Sequence, residues 1–417
     1  MTISELRADA NRRAVQSIAH ADPVWVDVQP AGEFLTDLPP RTVLHSGPPL
    51  PFAQLCGLHR RGAINGALLE GWAADEEDAA QQLSDGRIRV DSAMNYNTVG
   101  SGVGIVTPSV PLLIVADRRT GCRAGVFPAE GRFGGGFCGW GVYSPEIRDN
   151  LRWMRDELFA PLRPLLRAQG FPLRELFAEG VQMGDEFHSR QTAGDLLFIR
   201  KIIPFMQDGG VPADVQARLL RYFADTGRFF HNFGQASARS ALLSAERIPY
   251  CTMVTAAGGN GVEYGIQVSA TGRTWYTAPS PMIEGSNRVP GLDPAQQLPW
   301  IGDSSITECA GLGGILSAAS PAVCSWRSGR LTDGAAVTQE MAQICIGTNP
   351  QLRVPALDFG ASPCGIDAVR AAETGITPVI DGGMISSSGG WMGAGCTRIP
   401  HLCFVKAAAA LDAAATE

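Results

Sequence analysis

"PEIRDNLRWMRDELFAPLRPLLRAQG" (Pro145–Gly170) sets the architecture of the chain. Apolar residues recur in it every three or four positions, the spacing of an amphipathic helix, and Ser144 before Pro145 is a helix-start signal. "TAGDLLFIRKIIPFM" (Thr192–Met206) and "PADVQARLLRYFADTGRFFHNF" (Pro212–Phe233) continue the habit. The flanks read differently. Upstream, residues 5–21 predict a helix, "VWVDVQPA" alternates like a strand, and "PLLIVAD" (Pro111–Asp117) is a buried strand stopped by the turn "RRTG". Downstream of Ile248, two or three strands surround "GGNG" (Gly258–Gly261), a hairpin signal because glycine and asparagine tolerate positive φ. Helices are expected near 310–325, 335–346 and 364–374, with strands at "VPALDF" and "TPVID". The expectation is an α/β (α+β), multidomain protein. Residues 1–144 form an N-terminal α/β domain, 145–248 a mainly helical domain or insertion, and 249–417 a C-terminal α/β domain.

Composition narrows the function classes. The 417 residues are 45% hydrophobic and 18% charged, with a net charge of -7. That fits a globular protein and argues against a nucleic-acid partner, which needs a concentrated basic face. Lysine occurs only at Lys201 and Lys406, and no P-loop motif is present. The N-terminal stretch lacks the apolar core of a signal peptide, and no long uncharged apolar run predicts a membrane span. The expectation is a cytoplasmic protein. The ten cysteines contain no C-x-x-C pair and read as small buried hydrophobes, so neither a metal site nor a cofactor is expected.

Several stretches carry candidate chemistry, each with an ordinary alternative. In "MGDEFHSR" (Met183–Arg190), Asp185 and His188 are three apart at an expected helix start. A carboxylate beside an imidazole fixes its tautomer for acid–base work. An exposed, capped helix start has the same residues. "MNYNTVGSGVG" offers Asn95 and Tyr96 before glycines that could open backbone N–H groups to an anion, or simply make a tight turn; it is not a dinucleotide fingerprint. "GDSSITECAGLGG" (Gly302–Gly314) offers Asp303, Ser304, Ser305, Glu308, Gly313 and Gly314, as an anion-facing helix N-terminus or as a close-packed helix start. Asp358 and Asp367 flank an expected strand-to-helix loop and also suit a plain N-cap. His45 lies at a strand-to-loop junction, His59 reads as surface, and His231 reads as structural within an aromatic cluster.

Taken in order, "ANRRAVQSIAHADPVWVDVQPAGE", "LHSGPPL", "GALLEGWA", "TPSVPLLIV", "RWMRDELFAPL", "MGDEFHSR", "GDSSITECAGLGG", "PALDFGASPCGID" and "ETGITPVI" resemble the AllG (YlbE)-like family, associated with FdrA-type proteins. The resemblance covers nearly the whole chain. It implies an α/β protein with a helical portion. It also implies oxamate carbamoyltransferase chemistry in allantoin breakdown, where oxalurate and phosphate give oxamate and carbamoyl phosphate within a multi-subunit complex. It adds weight to Asp185, Glu186, His188 and Glu308 as catalytic residues, and to Arg190, Asn260, Gly261 and Asp303 as substrate-binding ones. The chain departs from the family pattern where relatives carry histidines: it has Met94, Asn95 and Tyr96 before "TPSVP", and "DGGMISSSGGWMGAG" after "ETGITPVI".

The resulting expectation is a carbamoyl- or amide-transfer enzyme, or a catalytic subunit, for a small anionic ureido or amide acid. Phosphate is its co-substrate, an FdrA-like subunit its partner, and a homo-oligomer its assembly. The alternatives are an amide or ureide hydrolase with a different substrate, and a non-catalytic subunit that docks its partner through Phe133, Phe137 and Trp140.

Overall fold

The computed structural model describes residues 1–128, 132–133, 136–137, 139, 141–327 and 330–416. Trp140 and the side chains of Phe133 and Phe137 fall outside them. The chain is a mixed α/β protein built from several small sheets held together by helices. The strand Pro111–Asp117 pairs antiparallel with both Pro23–Pro30 and Arg123–Val126, in a five-stranded sheet completed by Thr98–Val99 and Phe171–Pro172. Val254–Asn260 and Glu263–Val268 form the hairpin read from "GGNG", in a four-stranded sheet with Tyr276–Pro279 and Ile301–Gly302. Val379–Ile385 pairs with Trp391–Arg398 in a third sheet.

Residues 145–243 are mainly helical. The opening stretch is not one helix, however. It is α-helical over Pro145–Trp153, a π turn over Met154–Leu158, a 3-10 turn over Ala160–Leu162, and α-helical again over Arg163–Gln169. Pro161 and Pro164 account for the break, because each lacks an N–H and its ring clashes with the preceding turn.

The helix Phe230–Leu243 is the pivot of the packing. It touches the strands Pro111–Asp117, Arg123–Val126 and Val254–Asn260 and the short helix Ile306–Cys309. All but its last residue are buried. Gly234, Ala236, Ser237, Ala238, Ser240 and Ala241 let neighbours approach closely from all sides, as an all-round buried helix needs. The one charge inside it, Arg239, meets Glu246 at 2.7 Å. At the helix start an aromatic cluster of Trp25, Phe198, Phe229 and Phe233, with ring centroids 5.1–6.4 Å apart, locks the helical region to the first sheet.

Two local expectations are corrected. "VPALDF" is not a strand: Val354 ends the strand Cys345–Val354, Pro355–Leu357 is a 3-10 turn, and Asp358 and Phe359 take positive φ before the return strand Gly360–Ile366. His59 is not at the surface; it is fully buried beside His45, with ring centroids 5.1 Å apart.

Candidate active site

The centre forms where the loop 183–191, the turn 303–314 and the strand Val379–Ile385 meet. The loop joins the helices Arg174–Gln182 and Thr192–Asp208. Glu186 folds it inward: its carboxylate accepts the backbone N–H groups of His188, Ser189 and Arg190, and Phe187 takes φ 68° to allow the bend. Phe187 then packs on Phe177 and Phe230, fixing the loop to the core. Asp185 has a different task from the one expected. Its Oδ2 accepts from Gly194 N–H at 2.8 Å, capping the following helix, and its neighbour is Arg190 at 3.6 Å.

His188 takes its partner from the far side of the sequence. Its Nδ1 lies 2.7 and 2.9 Å from the two oxygens of Glu308. Glu308 also accepts from Gly314 N–H at 3.0 Å, Asp381 N–H at 3.3 Å and the Thr307 hydroxyl at 2.9 Å. The glycines explain how this carboxylate fits. Gly313 has φ 60°, and a Cβ there would lie 2.4 Å from Glu308 Oε1; a Cβ on Gly314 would lie 2.3 Å from the Val379 carbonyl oxygen. Asp381 Oδ1 stands 3.9 Å from His188 Nδ1. Neither Asp381 oxygen accepts a hydrogen bond in normal geometry from the described residues.

Electrostatics separate the groups. Burial would lower the pKa of His188, but Glu308 and then Asp381 outweigh it and hold the imidazole above its ordinary value. Glu186 is pushed well up by burial and by Asp381. Asp381 is pushed up to about 7, mainly by burial, with His188 opposing and Glu308 adding to the rise. His231 stacks beside His188 at 5.8 Å, yet burial, Arg228 and His188 all hold it neutral. Gln235 joins His231 Nε2 to the Ser101 hydroxyl.

Above these groups lies a small polar pocket lined by Gly102, His188, Arg228, His231, Trp300, Ser304, Gly382 and Gly383. It encloses about 20 Å³, room for a water molecule. With Nδ1 held by Glu308, Nε2 is the His188 nitrogen left for a ligand. Trp300 stands edge-on to the His188 ring at 5.8 Å. His188, Glu308 and Asp381 each offer one donor atom within 4.8 Å of the others, so the same three could hold a metal ion.

The other sequence candidates are dispersed. Ser304 lines the pocket, but the anion-facing helix N-terminus does not exist. The helix Ile306–Cys309 has four residues, and Ser305 accepts from the Tyr264 hydroxyl and donates to the Ala257 carbonyl instead. Asp303 is fully buried and ties two loops together through Gly47 N–H at 2.6 Å and Gly100 N–H at 2.9 Å; burial pushes it up to about 7. Asn260 closes the hairpin by accepting from Val262 and Glu263 N–H, with Gly261 at φ 83°. Asp367 caps the helix Ala368–Thr374 and holds Thr252. Asp358 sits exposed in its turn. Asn95 and Tyr96 both bond Asp91. Sequence reasoning missed Asp381, Arg228, Trp300, Gly382 and Gly383, and took His231 as structural. The signal for three of them was the carboxylate followed by two glycines at the end of "PVIDGG".

Fold and site together define a mixed α/β protein with an imidazole held among buried carboxylates beneath glycine-rich turns. The chain belongs to the AllG family: the family model described as oxamate carbamoyltransferase subunit AllG matches residues 88–304. It is 35% identical over 412 residues to the oxamate carbamoyltransferase subunit AllG of Escherichia coli (strain K12), covering 97% of each chain. It is 32% identical over 404 residues to the uncharacterized protein YahG of the same strain, covering 96% of this chain and 85% of that one. A crystal structure of a conserved protein of unknown function from Enterococcus faecalis V583 superposes with a TM-score of 0.91 at 31% identity, covering 99% of each chain. No helix among the described residues is long and apolar enough to cross a membrane.

Proposed function

We propose that the pocket over His188 is a carbamoyl-transfer site for a small ureido acid, with phosphate as co-substrate and an FdrA-type subunit as partner. A phosphate oxygen attacks the carbamoyl carbon, and the bond from that carbon to the amide nitrogen breaks. His188 Nε2 gives its proton to the departing nitrogen and recovers the proton that phosphate loses. The products are carbamoyl phosphate and the primary amide of the acid. Glu308 orients the ring and favours its charged form, Arg228 supplies positive charge beside the reacting group, and Ser304 offers a hydroxyl. The observation that carries this reading is the buried His188–Glu308 pair at the floor of a polar pocket. The enclosed space is too small for a ureido acid, so the walls must part before binding.

The test is formation of carbamoyl phosphate from oxalurate and phosphate, with and without the partner subunit. Turnover that survives unchanged in His188→Gln removes this site from the reaction. A second reading, hydrolysis assisted by a divalent cation, is favoured by the 4.8 Å grouping of His188, Glu308 and Asp381. Metal content of the purified protein at one ion per chain, lost in Asp381→Asn, would select it.

A further inference from the structure

Asn95, Tyr96 and Asn97 do not line the pocket over His188. They line a second, open cavity of about 520 Å³. Three arginines from separate segments converge on it: Arg123 at the start of a strand, Arg247 just after the buried helix Phe230–Leu243, and Arg273 beyond the 3-10 turn Ser269–Thr271. Arg273 forms a fixed floor. Its Nε lies 3.2 Å from Glu246, and its other nitrogens donate to the Asn95 carbonyl and the Asn97 side chain. Glu246 also pairs with the buried Arg239, so one carboxylate serves two guanidinium groups.

The other two arginines are not neutralised. Arg123 lies over the Phe34 ring at 5.7 Å, and neither it nor Arg247 has a carboxylate within ion-pair distance among the described residues. Asp37 is the one acidic side chain lining the cavity among those residues. With Arg273 neutralised by Glu246, the unpaired Arg123 and Arg247 against Asp37 still leave the lining net positive, on a chain whose net charge is -7. The backbone is constrained here as well. Arg247 and Asn97 are held at φ 62° and 57°, a left-handed conformation that disfavours residues with a side chain and that gathers at ligand sites.

We propose that this cavity binds a small phosphate-bearing dianion, gripped by Arg123 and Arg247 against the Arg273 floor. Guanidinium groups suit phosphate oxygens through paired N–H donors, and the two arginines without carboxylate partners offer one such pair each. The site is separate from His188, so it stands whether or not that pocket transfers carbamoyl groups.

The experiment is isothermal titration of the full chain with inorganic phosphate, on the parent protein, the double variant Arg123→Gln/Arg247→Gln, and His188→Gln. Both arginines are exposed, so the double variant should keep the parent Tm. The expected result is retained binding in His188→Gln and binding weakened by about tenfold per arginine in the double variant. Equal affinity in His188→Gln and in a triple variant that adds Arg123→Gln and Arg247→Gln to it overturns the proposal, because that background takes any phosphate held over His188 out of the comparison. So does loss confined to His188→Gln, which would put the anion in the other pocket. A double variant that keeps phosphate but no longer co-purifies with an FdrA-type subunit overturns it in favour of an acidic protein partner.

Discussion

Replacing Glu308 by glutamine removes one charge and almost no volume, so it isolates the electrostatic hold on His188. In the parent, Nδ1 meets both carboxylate oxygens at 2.7 and 2.9 Å. The amide oxygen of the introduced side chain would keep the N–H groups of Gly314 and Asp381, and its NH₂ would turn toward Thr307 and His188. Without the carboxylate, burial is the larger influence on His188 and favours the neutral ring. Breaking a buried ion pair costs about 3–5 kcal/mol. The sign with pH follows from the raised pKa of His188: the pair's stabilisation is fully present below the unfolded value of about 6.5 and is lost as pH rises through the folded value. Urea unfolding of parent and variant from about pH 5.5 to pH 9 should therefore show the widest gap at the acidic end, narrowing toward pH 9. In the transfer assay the variant should fall by about 10²–10⁴-fold. A gap that stays constant across this range, or His188 ring protons that titrate alike in both proteins, would refute the argument that Glu308 sets the charge of His188.

Asp381→Asn tests the opposite sign. The Asp381 pKa is raised to about 7, so the folded state binds more protons than the unfolded one between about pH 4 and 7, and stability is lost as pH rises across that window. The variant should be more stable than the parent by about 2–4 kcal/mol at pH 8 and lose the difference near pH 4, read by thermal unfolding at both pH values. Gly313→Ala places a Cβ against Glu308 Oε1 at φ 60°, and should cost at least about 1–2 kcal/mol while lowering transfer activity. Phe198→Ala, which opens the aromatic cluster at the start of the buried helix, should cost about 3–5 kcal/mol, read by urea unfolding.

The elements were legible wherever periodicity was local. The buried strand Pro111–Asp117, the "GGNG" hairpin and the helical run after Pro145 all follow from residues within one window. The strand expected at "VPALDF" failed because Pro355 and two positive-φ residues turn the chain there, which alternation alone does not reveal. The site was half legible for the same reason. His188, Glu186 and Glu308 stand in conspicuous polar stretches, but sequence spacing paired His188 with Asp185, three residues away, when its partner lies 120 residues on. Asp381 was marked only by the two glycines that follow it in "PVIDGG", a signal that names no partner. His59 was assigned to the surface, an environment that only the tertiary packing decides.

The buried carboxylates differ in how well they are solvated by the protein, and that difference orders their roles. Glu186 is met by three backbone N–H groups. Glu308 is met by two backbone N–H groups, a hydroxyl and an imidazole. Among the described residues Asp381 has no backbone N–H donor, and for hydrogen bonding it faces only the Ser189 hydroxyl and the Glu308 carboxyl. A buried carboxylate with few donors is costly to ionise, because little replaces its lost hydration. Glu308 is therefore the steady hydrogen-bond partner of His188. Asp381 is the group whose proton state changes near neutral pH, and each change alters the field at the imidazole 3.9 Å away. A pH–rate profile governed by His188 should accordingly carry a second inflection near 7 that disappears in Asp381→Asn. A profile with one inflection in both proteins would leave Asp381 as a buried acid with no hand in the chemistry.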